Sequence, residues 1–291
     1  MHMLNIGHLV ETTARFTHAI NGSHVESFEE LRPAYVNAIN ILRPVGLSAD
    51  ARGIKMGYED SGWVAHAKRV GIFPHIVGPA SPSSGPTREA WDLQVSEALE
   101  LIERIHPELR RMVSLFLTDI VVLNSEADGG GSANQMPGII MMSPSPTWTF
   151  LDYAMCVVHE ALHTALFIMD AVSPMFTLPP SELEKAENRA LSAVKIGEKR
   201  PLHAALHAAA VAVPLMFMEH SEGKTTLVDQ YTDSLRDACD DMQTKRDLFT
   251  DYGQLILDQM TEWVKADPID FDLIGRGITS REFTGYRPIA V

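Results

Sequence analysis

The sequence contains little cysteine, no surplus of positive charge and no long uninterrupted apolar run. Of its 291 residues only Cys156 and Cys239 are cysteines. They lie far apart, so no disulfide framework is expected and a reducing compartment is favoured. The 38 acidic residues outnumber the 24 basic ones and give a net charge of −14. Because no basic surplus is present to neutralise phosphates, we expect no nucleic-acid partner.

Signals for secretion or membrane insertion are also lacking. Residues 1–16 show neither the basic start nor the continuous apolar core of a signal peptide. The most apolar stretch, residues 204–218, contains His207 and Pro214 and is too short to span a bilayer. It therefore predicts a buried helix. We expect a cytoplasmic protein without a membrane partner.

The apolar pattern predicts an α+β fold that is mainly helical. Short strands are expected at residues 117–123 and 138–143, with a flexible glycine break at 129–131 between them. A central helix is expected over residues 149–170, and the small sheet should pack beside it in a zincin-like arrangement. The other expected helices cover residues 27–42, 58–70 and 87–106, begin near 179–181 and near 201, and cover 225–265.

We expect one compact unit that contains three regions. Residues 1–86 form an N-terminal helical region that ends in a loop rich in glycine, proline and serine. Residues 87–267 form a metal-binding catalytic core, and residues 268–291 form an irregular C-terminal tail.

One motif in the central helix indicates metal chemistry. The sequence Val-Val-His-Glu-Ala-Leu-His places His159 and His163 one turn apart on a helix, where both imidazoles can bind one divalent ion. Glu160 lies beside the pair, within reach of a metal-bound water, and is the candidate catalytic residue. Burial of these polar groups among aliphatic residues is unfavourable unless a partner satisfies them. Asp152 is a candidate for orienting a ligand histidine, although an aspartate is also favoured at a helix start.

A glutamate downstream of the motif is one candidate for the third metal ligand. Glu182 lies at the spacing found in zinc peptidases, and Glu184 follows closely. In that case Glu160 would act as the general base, and strand 138–143 would be the sheet edge that holds an extended substrate. Ser181 and Glu184 also form a capping-box pattern, so carboxylates are expected here without a metal.

The segment Arg-Pro-Leu-His-Ala-Ala-Leu-His at residues 200–207 is the other candidate. His203 and His207 are again one turn apart on an apolar helix. Arg200, just before them, can bind a carboxylate in a bidentate manner. A peptidase site has no general need for such an arginine.

Together, three motifs resemble the HExxH peptide-modification proteins of ribosomal peptide natural-product clusters. They are PGxIxxSP at residues 137–144, HExxH at 159–163 and RPLHxxLHA at 200–208, and the resemblance extends over roughly residues 117–218. Characterised members of that family are enzymes that depend on Fe(II) and 2-oxoglutarate and hydroxylate the β-carbon of residues in a peptide. The resemblance therefore implies Fe(II) as cofactor, 2-oxoglutarate and dioxygen as cosubstrates, and a peptide or amino-acid substrate.

The resemblance also implies roles for individual residues. His159, His163 and His207 would bind the iron. His203 would be the alternate third ligand or a residue that orients a ligand, and Arg200 would pair with the distal carboxylate of 2-oxoglutarate.

The residues alone leave two other functions open. A zinc-dependent metallopeptidase would use Glu160 as base and Glu182 or Glu184 as third ligand, and an all-histidine site can bind Zn²⁺ as well as Fe(II). A non-catalytic peptide-binding protein stabilised by a metal would fold in a metal-dependent manner without turnover.

Overall fold

The computed structural model describes residues 1–279 and is mainly helical with a small mixed sheet, which confirms the α+β class. The helices are α1 (Ile6–Asn21), α2 (Phe28–Leu42), α3 (Gly62–Val70), α4 (Pro74–Val77), α5 (Gly85–Ile105), α6 (Pro107–Phe116), α7 (Phe150–Val172), α8 (Pro180–Leu183), α9 (Leu202–Ser221), α10 (Thr226–Gln243), α11 (Asp251–Lys265) and α12 (Phe271–Ile278). The strands are β1 (Lys55–Gly57), β2 (Asp119–Val122), β3 (Gly129–Ser132), β4 (Ile139–Ser143), β5 (Ala190–Leu191) and β6 (Lys199–Arg200).

The described residues form two compact units. The HExxH unit comprises Val10–Phe167, and the α9 unit comprises Met1–Leu9 with residues 168–279. The boundaries expected at residues 86 and 267 stay predictions.

The sheet of the HExxH unit has the strand order β1-β2-β4-β3. β1, β2 and β4 are parallel, and β3 runs antiparallel to β4 at one edge. β2 and β4 are fully buried, which agrees with their almost continuous apolar sequences. The expected strands at 117–123 and 138–143 are thus confirmed. The two edge strands are β1 and β3, and β4 lies between β2 and β3, so the expectation that strand 138–143 forms the edge is wrong.

Successive side chains along each strand point to opposite faces of this sheet, and the register shows which residues of neighbouring strands share a face. One face carries Val121, Ile139 and Met141, which pack against α3 and α4 in an apolar cluster with Trp63 and Ile76. The other face carries Ile140 and Met142 of β4 with Ser132 and Gly130 of β3, and β3 contacts α7 on this face.

Helices α7 and α9 confirm the two central helical predictions. Asp152 caps the start of α7, where its Oδ2 accepts hydrogen bonds from the backbone N–H and hydroxyl of Thr149 at 2.6 and 2.7 Å. α9 follows Pro201 and continues through Pro214. By length and composition alone both helices could cross a membrane, and 56% and 89% of their most apolar windows are buried inside the protein. Core helices of water-soluble proteins also have these properties.

The expected flexible glycine break is wrong, because Gly129–Gly131 belong to β3. A Cβ atom built on Gly130 would lie 2.6 Å from Cys156 Sγ, and one on Gly131 would lie 2.6 Å from Phe73 Cε1. Close packing against side chains on both faces of the strand therefore favours glycine at positions 130 and 131.

Three expectations for the C-terminal part are also corrected. Residues 225–265 form two helices, α10 and α11, because Thr250 caps a new start by accepting a hydrogen bond from the N–H of Gly253. The tail includes the helix α12 and is not wholly irregular, and residues 280–291 lie outside the described chain. The region after Pro179 forms only the short helix α8 without a side-chain cap, so the capping box expected for Ser181 is wrong.

Candidate metal centre

The two histidines of the HExxH motif converge as expected. His159 Nε2 and His163 Nε2 lie 3.1 Å apart, and their rings meet at an interplanar angle of 75°. Two imidazole nitrogens bound to one ion at about 2.0–2.1 Å lie about 3 Å apart when their bonds meet near a right angle. The same separation permits a hydrogen bond between a donor ring and an acceptor ring. The Nε2 atoms are thus positioned to bind one metal ion.

Glu160 is buried beside this pair and is held by the edge strand. Its Oε2 accepts a hydrogen bond from the hydroxyl of Ser132 at 2.7 Å, and the backbone N–H of Ser132 also donates to the carboxylate. Its Oε1 lies 3.8 Å from His159 Nε2. Burial raises the pKa of Glu160 to about 7, although the hydrogen bonds from Ser132 act in the opposite direction. One carboxylate oxygen is therefore fixed by β3 while the other faces the histidines.

The sequence reasoning missed Ser132 and Gly130, which connect β3 to α7. They lie on either side of Gly131 in β3, so both positions point to the face opposite to that of Gly131. This is the face that contacts Cys156 and Glu160 of α7. The glycine run at residues 129–131, next to a predicted strand, could have indicated this contact, because glycine within a strand often marks a place where another element approaches the backbone closely.

Gly130→Ala should lower the free energy of unfolding by about 1–3 kcal/mol, because the new methyl group overpacks the β3–α7 contact. The urea midpoint measures the loss. Gly53→Ala is the matched control, since a Cβ atom there meets nothing within 4 Å. Adding Cys156→Ala to Gly130→Ala should recover part of the stability. A loss no larger than that of the control would refute the close approach.

The α9 unit contains the second histidine pair. His207 is buried, and burial lowers its pKa to about 3, with the positive charges of His203 and Arg200 acting in the same direction. Its imidazole is therefore neutral at physiological pH, which is the form that binds metals. Arg200 lies in β6, paired with Ala190 of β5.

His203 differs from its neighbour because its Nδ1 atom is buried and has no hydrogen-bond partner in the part of the chain that the structure describes. Burial lowers the pKa of His203, while the carboxylates of Glu184 and Asp170 act in the opposite direction. A buried ring nitrogen without a partner costs free energy. A bound ion or ligand would satisfy it.

The remaining candidates have other surroundings. Glu182 is partly exposed and forms an ion pair with Lys185 at 2.6 Å, and Glu184 is exposed. Asp152 is engaged by Thr149 at the start of α7.

The structure thus places the predicted site residues in two groups. His159, Glu160 and His163 offer ligand atoms that all lie within 4.8 Å of one another, and they belong to the HExxH unit. Arg200 and the two α9 histidines form the other group, in the α9 unit. Comparison of the chain with models of known protein families and with curated proteins gives no match.

Proposed function

We propose that the protein is an Fe(II)- and 2-oxoglutarate-dependent oxygenase that hydroxylates the β-carbon of an amino-acid side chain within a ribosomally made peptide. The observation that carries the proposal is the group on and before α9. It combines a buried neutral His207, a His203 ring nitrogen without a partner, and the nearby charge of Arg200. A peptidase requires none of these three features.

The donor set fits the proposed metal. His159, His163 and His207 would supply three imidazole nitrogens, with His203 as the alternate third ligand, and imidazole suits both Fe(II) and Zn²⁺. Iron bound with 2-oxoglutarate supplies the dioxygen activation that C–H hydroxylation needs. The position of β3 beside α7 supports the zincin-like arrangement that the proposal includes.

The chain's own groups would position the reactants. Arg200 would hold the distal carboxylate of 2-oxoglutarate through paired hydrogen bonds. Glu160 would present Oε1 towards the metal side and accept or donate a proton there, while Ser132 keeps Oε2 in place. Buried Val157, Val158 and Leu162 flank the motif in α7, whereas His159 and His163 are partly exposed, which would leave them accessible to a cosubstrate.

A zinc peptidase is the second candidate, and the position of Glu160 favours it. Its Oε1, 3.8 Å from His159 Nε2, lies where a general base would reach a metal-bound water. The third ligand weakens this candidate, because Glu182 is already paired with Lys185 and Glu184 is exposed.

Reconstitution of the metal-free protein distinguishes the candidates. With Fe(II) and 2-oxoglutarate in air, we expect succinate to form, and we expect none when Zn²⁺ replaces Fe(II). Succinate is measured by mass spectrometry, with oxygen-free samples as control. Peptide cleavage with Zn²⁺ and no succinate with Fe(II) would establish the peptidase instead. Stabilisation by metal without either activity would indicate a non-catalytic metal-binding protein.

A further inference from the structure

A cavity lies in the HExxH unit, and its lining includes none of the residues of the HExxH motif. It has a volume of about 550 Å³, within the range of small-molecule sites. Its lining includes the partly exposed Leu47 and the largely buried Trp63 and Val121, which are apolar, and Asp119 and Lys55, which carry opposite charges. Val121 lies on the sheet face that packs against Trp63 of α3, whereas Glu160 meets the sheet on its other face.

Asp119 is a buried carboxylate with one occupied and one open oxygen. Its Oδ2 accepts hydrogen bonds from Arg43 Nη1 at 3.3 Å and from Thr118 Oγ1 at 2.8 Å. Arg43 is itself fixed, since its Nε donates to Pro137 O at 3.1 Å and its guanidinium stacks on Trp63. No described residue donates to Oδ1. Because Asp119 lines the cavity and its side chain is 10% exposed, Oδ1 faces that space.

Lys55 lies beside this carboxylate with its charge available. It pairs in register with Asp119 across the parallel strands β1 and β2, so the two side chains leave the same face of the sheet about 5 Å apart. Lys55 is exposed and forms no ion pair within residues 1–279. Arg88 and Asp60 also line the cavity but are already paired, since Arg88 forms ion pairs with Asp60 at 3.0 Å and with Glu59 at 2.6 Å. Lys55 and Oδ1 of Asp119 are therefore the charged groups of the lining that remain for a ligand.

We propose that this cavity binds a free α-amino acid with an apolar side chain. The ammonium group of the ligand donates to Asp119 Oδ1, and its carboxylate accepts from Lys55 Nζ. The apolar side chain lies against the partly exposed Leu47, where its burial contributes to binding. A zwitterion matches adjacent charges of opposite sign, whereas an amine or a carboxylate alone leaves one of them unpaired. This inference does not depend on the metal or on the proposed oxygenase activity.

Calorimetric titration of the full chain with L-phenylalanine tests the proposal. We expect saturable binding of phenylalanine. Two analogues isolate the contributions of its charges, since 3-phenylpropionate lacks the ammonium group and 2-phenylethylamine lacks the carboxylate. Each should bind at least about tenfold more weakly, the loss expected for one charge-assisted hydrogen bond. The proposal is overturned if phenylalanine does not bind, or if either analogue binds as tightly.

Two variants locate the binding at this cavity. Lys55→Met should weaken phenylalanine binding about tenfold and leave the fold intact, because this side chain is exposed. Lys68→Met, at an exposed position of α3 outside the cavity, is the matched control and should bind normally. In Asp119→Asn, phenylalanine should bind no more tightly than 3-phenylpropionate, which lacks the ammonium group. This substitution also removes the ion-pair partner of buried Arg43. Its circular dichroism spectrum is therefore compared first. Unchanged binding by Lys55→Met would overturn the assignment.

Discussion

Replacement of His163 by alanine is expected to lower the affinity for Fe(II) and Zn²⁺ by more than about 100-fold and to remove metal-dependent turnover. Changing a residue that only orients a ligand typically costs 10–100-fold in affinity, so loss of a ligand itself should cost more. The physical reason is the 3.1 Å separation of His159 Nε2 and His163 Nε2, which lets both nitrogens bind one ion. Competition with a chromophoric chelator measures the affinity.

The matched control for this experiment is His75→Ala. His75 is exposed on α4, within the same unit, and lies outside the motif. It should bind metal with unchanged affinity. Equal metal affinity in His163→Ala and the unaltered protein would show that the two imidazoles form only a hydrogen bond to each other.

His207→Ala is expected to abolish succinate formation and to lower metal affinity to a similar extent as His163→Ala. The proposal assigns the third ligand to this buried neutral imidazole, with His203 one turn before it on α9 as the alternate. Glu182→Ala is the matched comparison and should retain activity, because Glu182 is partly exposed and paired with Lys185. Succinate yield and metal content are measured for both variants.

The same pair of variants identifies the alternatives. Loss of metal in Glu182→Ala but not in His207→Ala would establish the glutamate-ligated peptidase, in which Glu160→Gln should also remove all activity. His203→Ala is measured beside them, because Nδ1 of His203 has no hydrogen-bond partner among the described residues. A larger loss of metal affinity in His203→Ala than in His207→Ala would make His203 the third ligand and His207 the residue that orients a ligand.

Sequence was sufficient where local pattern decides the structure. The HExxH helix, the start of α9 after Pro201 and strands β2 and β4 follow from apolar periodicity and from proline preferences. The approach of His159 to His163 also follows, since helical spacing alone brings positions i and i+4 together.

Tertiary contacts decide the features that were missed. Three glycines have little intrinsic preference for a strand, and β3 forms because its backbone fits between Cys156 and Phe73. The hydrogen bonds from Ser132 to Glu160 join positions 28 residues apart, so no local pattern reveals them. Spacing likewise shows that His203 and His207 share a helix face but does not show what that face meets.

The close packing of β3 against α7 and Phe73 restricts which substitutions this part of the protein can accept. Because a Cβ atom at Gly130 or Gly131 would meet the side chain of Cys156 or Phe73, a larger residue at either position requires a smaller side chain at the residue that it meets. Substitutions on the two sides of this contact are therefore expected to occur together. The carboxylate of Glu160, anchored to the same backbone, would keep its place throughout such changes.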